Sequence, residues 1–86
     1  MYRIELTHVA RKALLSIPAP DQQRVARAID GLAQNPRPPG VKKLSGGAGE
    51  FRLRVGAHRV IYEVFDDVLR VLVLAIGPRK DVYRRR

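Results

Sequence analysis

The stretch that most limits the fold is residues 50–64, EFRLRVGAHRVIYEV. Apolar and charged residues alternate on both sides of Gly56, as two short strands joined by a tight turn require. Residues two apart in a strand share a face. Phe51, Leu53 and Val55 therefore point one way, and Arg52 and Arg54 the other. On the next strand Val60, Tyr62 and Val64 share one face, and Arg59, Ile61, Glu63 and Phe65 the other. The apolar set must meet the core, which turns Arg52 and Arg54 to the open side. A slip of one residue in register would bury both guanidiniums. With Arg59 beside them, three like charges gather on one surface. Water, an anion, or a carboxylate such as Glu50 or Glu63 must then screen them.

The rest of the chain supplies what covers the other face. YRIEL, at 2–6, alternates like a strand. Thr7 is a good N-cap for a helix over about 8–17, with Val9, Ala13, Leu14 and Ile17 near helical spacing. PAPD breaks that helix, and a second one follows over about 20–34, with Val25, Ile29 and Leu32 on one face. NPRPPG ends it and opens a long Pro- and Gly-rich loop over 35–49 that carries Lys42 and Lys43. Strands are expected at about 50–55, 59–65 and 68–76. The last of them, VLRVLVLAI, is apolar enough to sit mid-sheet, covered on both faces. The order β-α-α-β-β-β predicts an α+β fold: an N-terminal strand and a two-helix hairpin packed on one face of a mainly antiparallel four-stranded sheet. Residues 1–86 read as a single domain.

Charge then limits function. The 17 Lys and Arg residues outnumber 8 Asp and Glu, for a net charge of +9. The excess is concentrated in the C-terminal half. Such a balance points to a polyanionic partner, nucleic acid or an acidic protein; a solvated surface kept for solubility is the plainer alternative. There is no cysteine, which excludes disulfides and thiolate–zinc sites and fits a reducing compartment. His8 and His58 stand alone in the sequence, so no metal-ligand cluster is expected. The longest apolar run, VLVLAI at 71–76, is far below the roughly 18–20 residues that cross a bilayer. MYRIELTH lacks the apolar core of a signal peptide. The reading is a soluble cytoplasmic protein with no membrane partner.

Beyond the last strand, Gly77 and Pro78 stop the ladder and Arg79 follows. Tyr83 stands among Arg79, Lys80, Arg84, Arg85 and Arg86. Nearby positive charge favours a phenolate. Taken alone, the same residues also read as a surface tyrosine on a frayed basic tail.

From Lys43 onward the sequence resembles the RelE/ParE toxin superfamily, in its RelE-like branch. The shared pattern is K-L, a Gly-rich loop, an aromatic followed by R-x-R-V-G, then R-V-I-Y-E, an acidic turn, an apolar strand and G-x-R-x-D-V-Y-R. The N-terminal half matches in outline. The resemblance implies a toxin of a toxin–antitoxin pair that enters the ribosomal A site and cuts mRNA without a metal or other cofactor. It also implies an acidic, RelB-like antitoxin, with the ribosome and mRNA as further partners. It carries the active-site positions onto Arg52 and Arg54, Arg59, Arg79 and Tyr83. Such an enzyme directs the 2′-oxygen at the adjacent phosphorus, leaving a 2′,3′-cyclic phosphate and a free 5′-hydroxyl. A base, a phosphate clamp and a group at the leaving oxygen are needed. Arginine cannot be the base, which leaves Tyr83 for that role, Arg59 as clamp and Arg79 at the leaving oxygen. Lys42, Lys43, Arg52, Arg54, Lys80 and Arg84 are expected to hold RNA.

The sequence departs from the family where lysines of the second strand are replaced by Arg52 and Arg54, and where Pro78 replaces a histidine or basic residue. His58 is an alternative base, although its parity opposes Arg59. Two other functions fit the same fold: a ParE-like gyrase inhibitor without nuclease activity, and a non-catalytic RNA-binding module to which Tyr83 is dispensable.

Overall fold

Thr7 is the hinge of the N-terminal half. β1 (Arg3–Leu6) ends before it and α1 (His8–Ser16) begins after it. The Thr7 hydroxyl accepts a hydrogen bond from the Ala10 N–H at 3.1 Å, capping the helix. That cap fixes which residues of α1 face inward. Ala10, Ala13, Leu14 and Ile17 join the core, whereas Val9, expected among them, is 50% exposed. α2 (Asp21–Gly31) presents Val25 and Ile29 to the same core, and Leu32 just beyond its end is fully buried. It is shorter than the expected 20–34 because the chain turns at 32–34.

The computed structural model describes residues 1–44 and 49–78. The alternation at 50–65 gives β3 (Glu50–Val55) and β4 (His58–Phe65), antiparallel and joined by Gly56 and Ala57. Gly56 takes φ 61°, a conformation that suits a residue without a Cβ. His58, expected in the turn, belongs to the strand. After β4, Asp66–Val68 form a short 3-10 turn and Leu69 adopts φ 50°, so β5 starts at Arg70 and runs to Pro78.

The sheet has five strands, in the order β1-β5-β4-β3-β2, with β2 being Lys42–Lys43. Four were expected. A two-residue strand leaves no alternation to detect, and its pairing with β3 alone defines it. β1 runs parallel to β5 and every other pairing is antiparallel. β5 is an interior strand as expected, but the middle position belongs to β4. Both helices cover one face, where Ala10, Ile17, Val25, Ile29 and Leu32 pack with Val60, Tyr62, Val71, Val73 and Ile76.

One irregularity interrupts this order. Ile61 pairs with Ala75 and Tyr62 with Val73, leaving Leu74 without a partner on β4 as a β-bulge. Its carbonyl accepts a hydrogen bond from the Thr7 hydroxyl at 3.0 Å, and the Thr7 N–H donates to the Val73 carbonyl. One hydroxyl therefore caps α1 and tethers the bulge. Thr7→Val keeps the shape and removes both bonds, and should lower stability by about 2 kcal/mol. Thr7→Ser should restore most of that in a urea titration.

Candidate functional site

Parity fixes the contents of the uncovered face, because paired residues on adjacent strands share a side. Arg54 lies opposite Arg59, and Arg52 opposite Ile61. Lys42 pairs with Arg52 and so joins this face. Lys43, expected with it, pairs with Phe51 and takes the helix side, the necessary result of alternation along a two-residue strand. On its other flank Arg59 faces Gly77, which offers no side chain. The sequence treats Gly77 only as a strand stop. Its place opposite Arg59 becomes legible only once β5 is known to continue through it. Arg79, Lys80, Tyr83 and Arg84 lie outside the described residues.

The environments of these cations differ. Arg54 and Lys42 are exposed, and Arg52 is half-buried. Arg59 is 8% exposed and is the one buried charged residue among those described. Its Nε is covered and has no hydrogen-bond partner. Among the described residues no carboxylate pairs with Arg54, Arg59 or Lys42.

The opposite end of the same face is arranged differently. Arg70 donates to Glu5 at 2.6 Å and lies over the Phe65 ring at 5.2 Å, and Arg3 reaches the same carboxylate at 3.1 Å. The two cations at the β1 end share one carboxylate from within the fold. At the β3–β4 end Arg54, Arg59 and Lys42 have no carboxylate partner among the described residues, which leaves them open to an outside anion. A buried guanidinium with no carboxylate partner among the described residues, paired with a glycine on one flank and with a second arginine on the other, can grip a phosphate.

His58 does not join this group. It pairs with Val55 on the helix side, where its Nε2 stands 3.7 Å from an Asp21 carboxylate oxygen. With Arg24, Gly56 and Ala57 these residues line a cleft of about 60 Å³. The imidazole is thus on the far side of the sheet from Arg59. Among the described residues, no group of three or more His, Cys, Asp or Glu could hold a metal ion. No described helix is long and apolar enough to cross a membrane.

With this geometry in place, the chain can be compared with known proteins. The family described as "ParE toxin of type II toxin-antitoxin system, parDE" matches residues 4–83. The chain belongs to the RelE/ParE toxin superfamily. The toxin is 31% identical over 85 residues to Toxin RelG of Mycobacterium tuberculosis, with 98% of each chain covered. It is 30% identical to a putative RelE-like toxin protein of Escherichia coli, covering 95% of this chain and 90% of that one. In structure it is similar to the archaeal RelE of a RelE–RelB complex from Pyrococcus horikoshii OT3. The TM-score is 0.81 at 32% identity, over 91% of this chain and 94% of that one. The toxin–antitoxin complex RelBE2 of Mycobacterium tuberculosis gives a TM-score of 0.79 at 28% identity, over 91% and 98%. These matches make the chain a RelE-like toxin of a type II toxin–antitoxin system.

Proposed function

We propose that this toxin is a ribosome-dependent endoribonuclease that cuts mRNA in the A site and so stops translation. The observation that carries the reading is Arg59: more than nine-tenths buried, unpartnered at Nε, and flanked by Arg54 and Gly77. Such a group is costly to fold around unless an anion completes it. Tyr83 is assigned as the base that takes the 2′ proton. The 2′-oxygen then bonds to the adjacent phosphorus as the bond from phosphorus to the 5′-oxygen breaks. Arg59 holds the charge that builds on the phosphate, and the leaving oxygen is protonated with Arg79 beside it as donor or stabilising cation. Arg52, Arg54, Lys42, Lys80 and Arg84 track the RNA backbone. The chemistry requires no metal or cofactor.

The test is direct: purified toxin is added to programmed ribosomes and mRNA ends are mapped. Cleavage should appear in the A site and should fall sharply with Tyr83→Phe. Intact mRNA would end the proposal. The family description names ParE, which favours a second reading, inhibition of DNA gyrase without nuclease activity. Intact mRNA together with blocked supercoiling would establish it.

We assign an acidic, RelB-like antitoxin as the cytoplasmic partner. Relatives crystallised as RelE–RelB complexes and the +9 charge both support it. Salt should separate the two partners. RNA affinity should fall with a log–log slope of roughly −2, if about three phosphates are neutralised. Antitoxin affinity, held partly by apolar contacts, should fall less steeply. Equal slopes would overturn the assignment.

A further inference from the structure

The uncovered face is not uniformly polar. Beside Arg59, Ile61 is fully buried and Ala75 nearly so, with Leu44 and Leu74 packed against them. This patch lies on the side of the sheet away from the helices. In a regular strand Leu74 and Ala75 would point to opposite faces. The bulge turns both to one side, and Thr7 holds it there through the Leu74 carbonyl. Bulges that re-aim a side chain are enriched next to active sites. Ile61 follows Arg59 by two residues, about 6.6 Å along the strand. An apolar ledge thus adjoins a buried cation that has no carboxylate partner among the described residues, with Leu44 and Leu74 still half-exposed.

We propose that this ledge seats an unstacked nucleobase of single-stranded RNA, with Leu74 the residue that sets its fit. The inference rests on the nuclease reading and adds to it a base-contacting site. The pairing of features carries the argument. A nucleotide gripped by its phosphate at Arg59 has a flat, largely apolar base within one strand repeat, and apolar side chains are common partners for a base taken out of its stack. The adjoining face carries Arg54 and Lys42, which suit a polyanionic strand. Leu74 touches the base and not the reacting atoms, so it acts on binding and base preference.

Two measurements test this. In the first, cleavage by Leu74→Ser is compared with the native toxin on programmed ribosomes. The toxin concentration giving half-maximal rate should rise about tenfold, the scale of a lost apolar contact, with the maximal rate little changed. The preference for the base beside the scissile bond should flatten. In the second, the native toxin is titrated with a 2′-O-methyl trinucleotide, which cannot be cut, while the methyl signals of Leu44, Ile61 and Leu74 are followed by NMR. These signals should move together. Leu74→Ser with an unchanged half-maximal concentration and base profile would overturn the ledge while leaving the nuclease reading intact. If the native toxin does not cleave, or the variant does not fold, the titration decides alone: still methyls overturn the proposal and moving ones support it. Methyls that move with an acidic antitoxin segment but not with the trinucleotide would assign the ledge to a protein and overturn it.

Discussion

Arg59→Met should make this toxin more stable and at the same time nearly inactive. The two halves of that result come from one fact: a charged side chain is 8% exposed, with a covered Nε and no partner among the described residues. Without an anion, the folded state bears the cost of stripping water from the guanidinium. Methionine fills similar space with no charge to desolvate. Its midpoint in urea should therefore rise, by about 1–3 kcal/mol of stability. The same group is the proposed clamp on the charge that develops at phosphorus, and removing one such contact costs about 100- to 1000-fold in rate. Arg59→Lys should fall between, because an ammonium keeps the charge but not the two-pronged grip. Arg70 is the control. It sits on the same face but is paired with Glu5 and stacked on Phe65. Arg70→Met should lose up to about 1 kcal/mol and leave cleavage near native levels. An Arg59→Met protein that is less stable and still cuts would show that the arginine is structural.

That contrast between two arginines on one face marks how far the sequence could be read. Alternation around Gly56 was enough to turn Arg52, Arg54 and Arg59 to one side, because any other register would bury charge in the core. It also set His58 apart, and the structure places it against Asp21 on the helix side. The pattern carried no information on partners. Nothing in it distinguishes Arg59, which has no carboxylate partner among the described residues, from Arg70, whose carboxylate comes from Glu5, 65 residues away. Nor does it announce the bulge at Leu74, since VLVLAI contains no Gly or Pro to mark a break. The tether is a Thr7 hydroxyl that sequence reasoning had already spent on a helix cap. β2 escaped because two residues have no period. Val9 is exposed although the Thr7 cap is where the sequence puts it, because at about 100° per residue it lies roughly 90° around the helix from the middle of the stripe formed by Ala10, Ala13, Leu14 and Ile17.

Tyr62 should prove the most consequential residue for stability, and its effect should depend on alkaline pH. It is fully buried on the helix side of β4, stacked on Phe51 with ring centres 5.7 Å apart. Its hydroxyl donates to the Pro36 carbonyl at 2.6 Å, tying down the loop that follows α2. That loop is also held by Arg37, which lies over Phe51 and pairs with Asp66 at 2.8 Å. Tyr62→Ala should cost about 3–5 kcal/mol, enough to unfold much of a small domain and abolish toxicity through loss of the fold. Tyr62→Phe keeps the ring and strands the carbonyl, at about 1–2 kcal/mol, and should leave the opposite, arginine-bearing face working. Burial pushes the Tyr62 phenol up to about 12, with the Arg37 charge acting weakly in the other direction. The unfolded chain ionises near 10. Below that pH both states hold the proton and the stabilisation is fully present. Between about 10 and 12 only the unfolded state releases it, so stability falls as pH rises, by on the order of 2 kcal/mol. Tyr2 is also raised, chiefly by its hydrogen bond to Asp66, and titrates in both proteins. The difference between native and Tyr62→Phe stabilities removes that contribution. It should shrink steadily from pH 10 to 12. A difference that stays constant across that window would mean that the Tyr62 hydroxyl is in contact with water, and that the Pro36 bond does not anchor the loop.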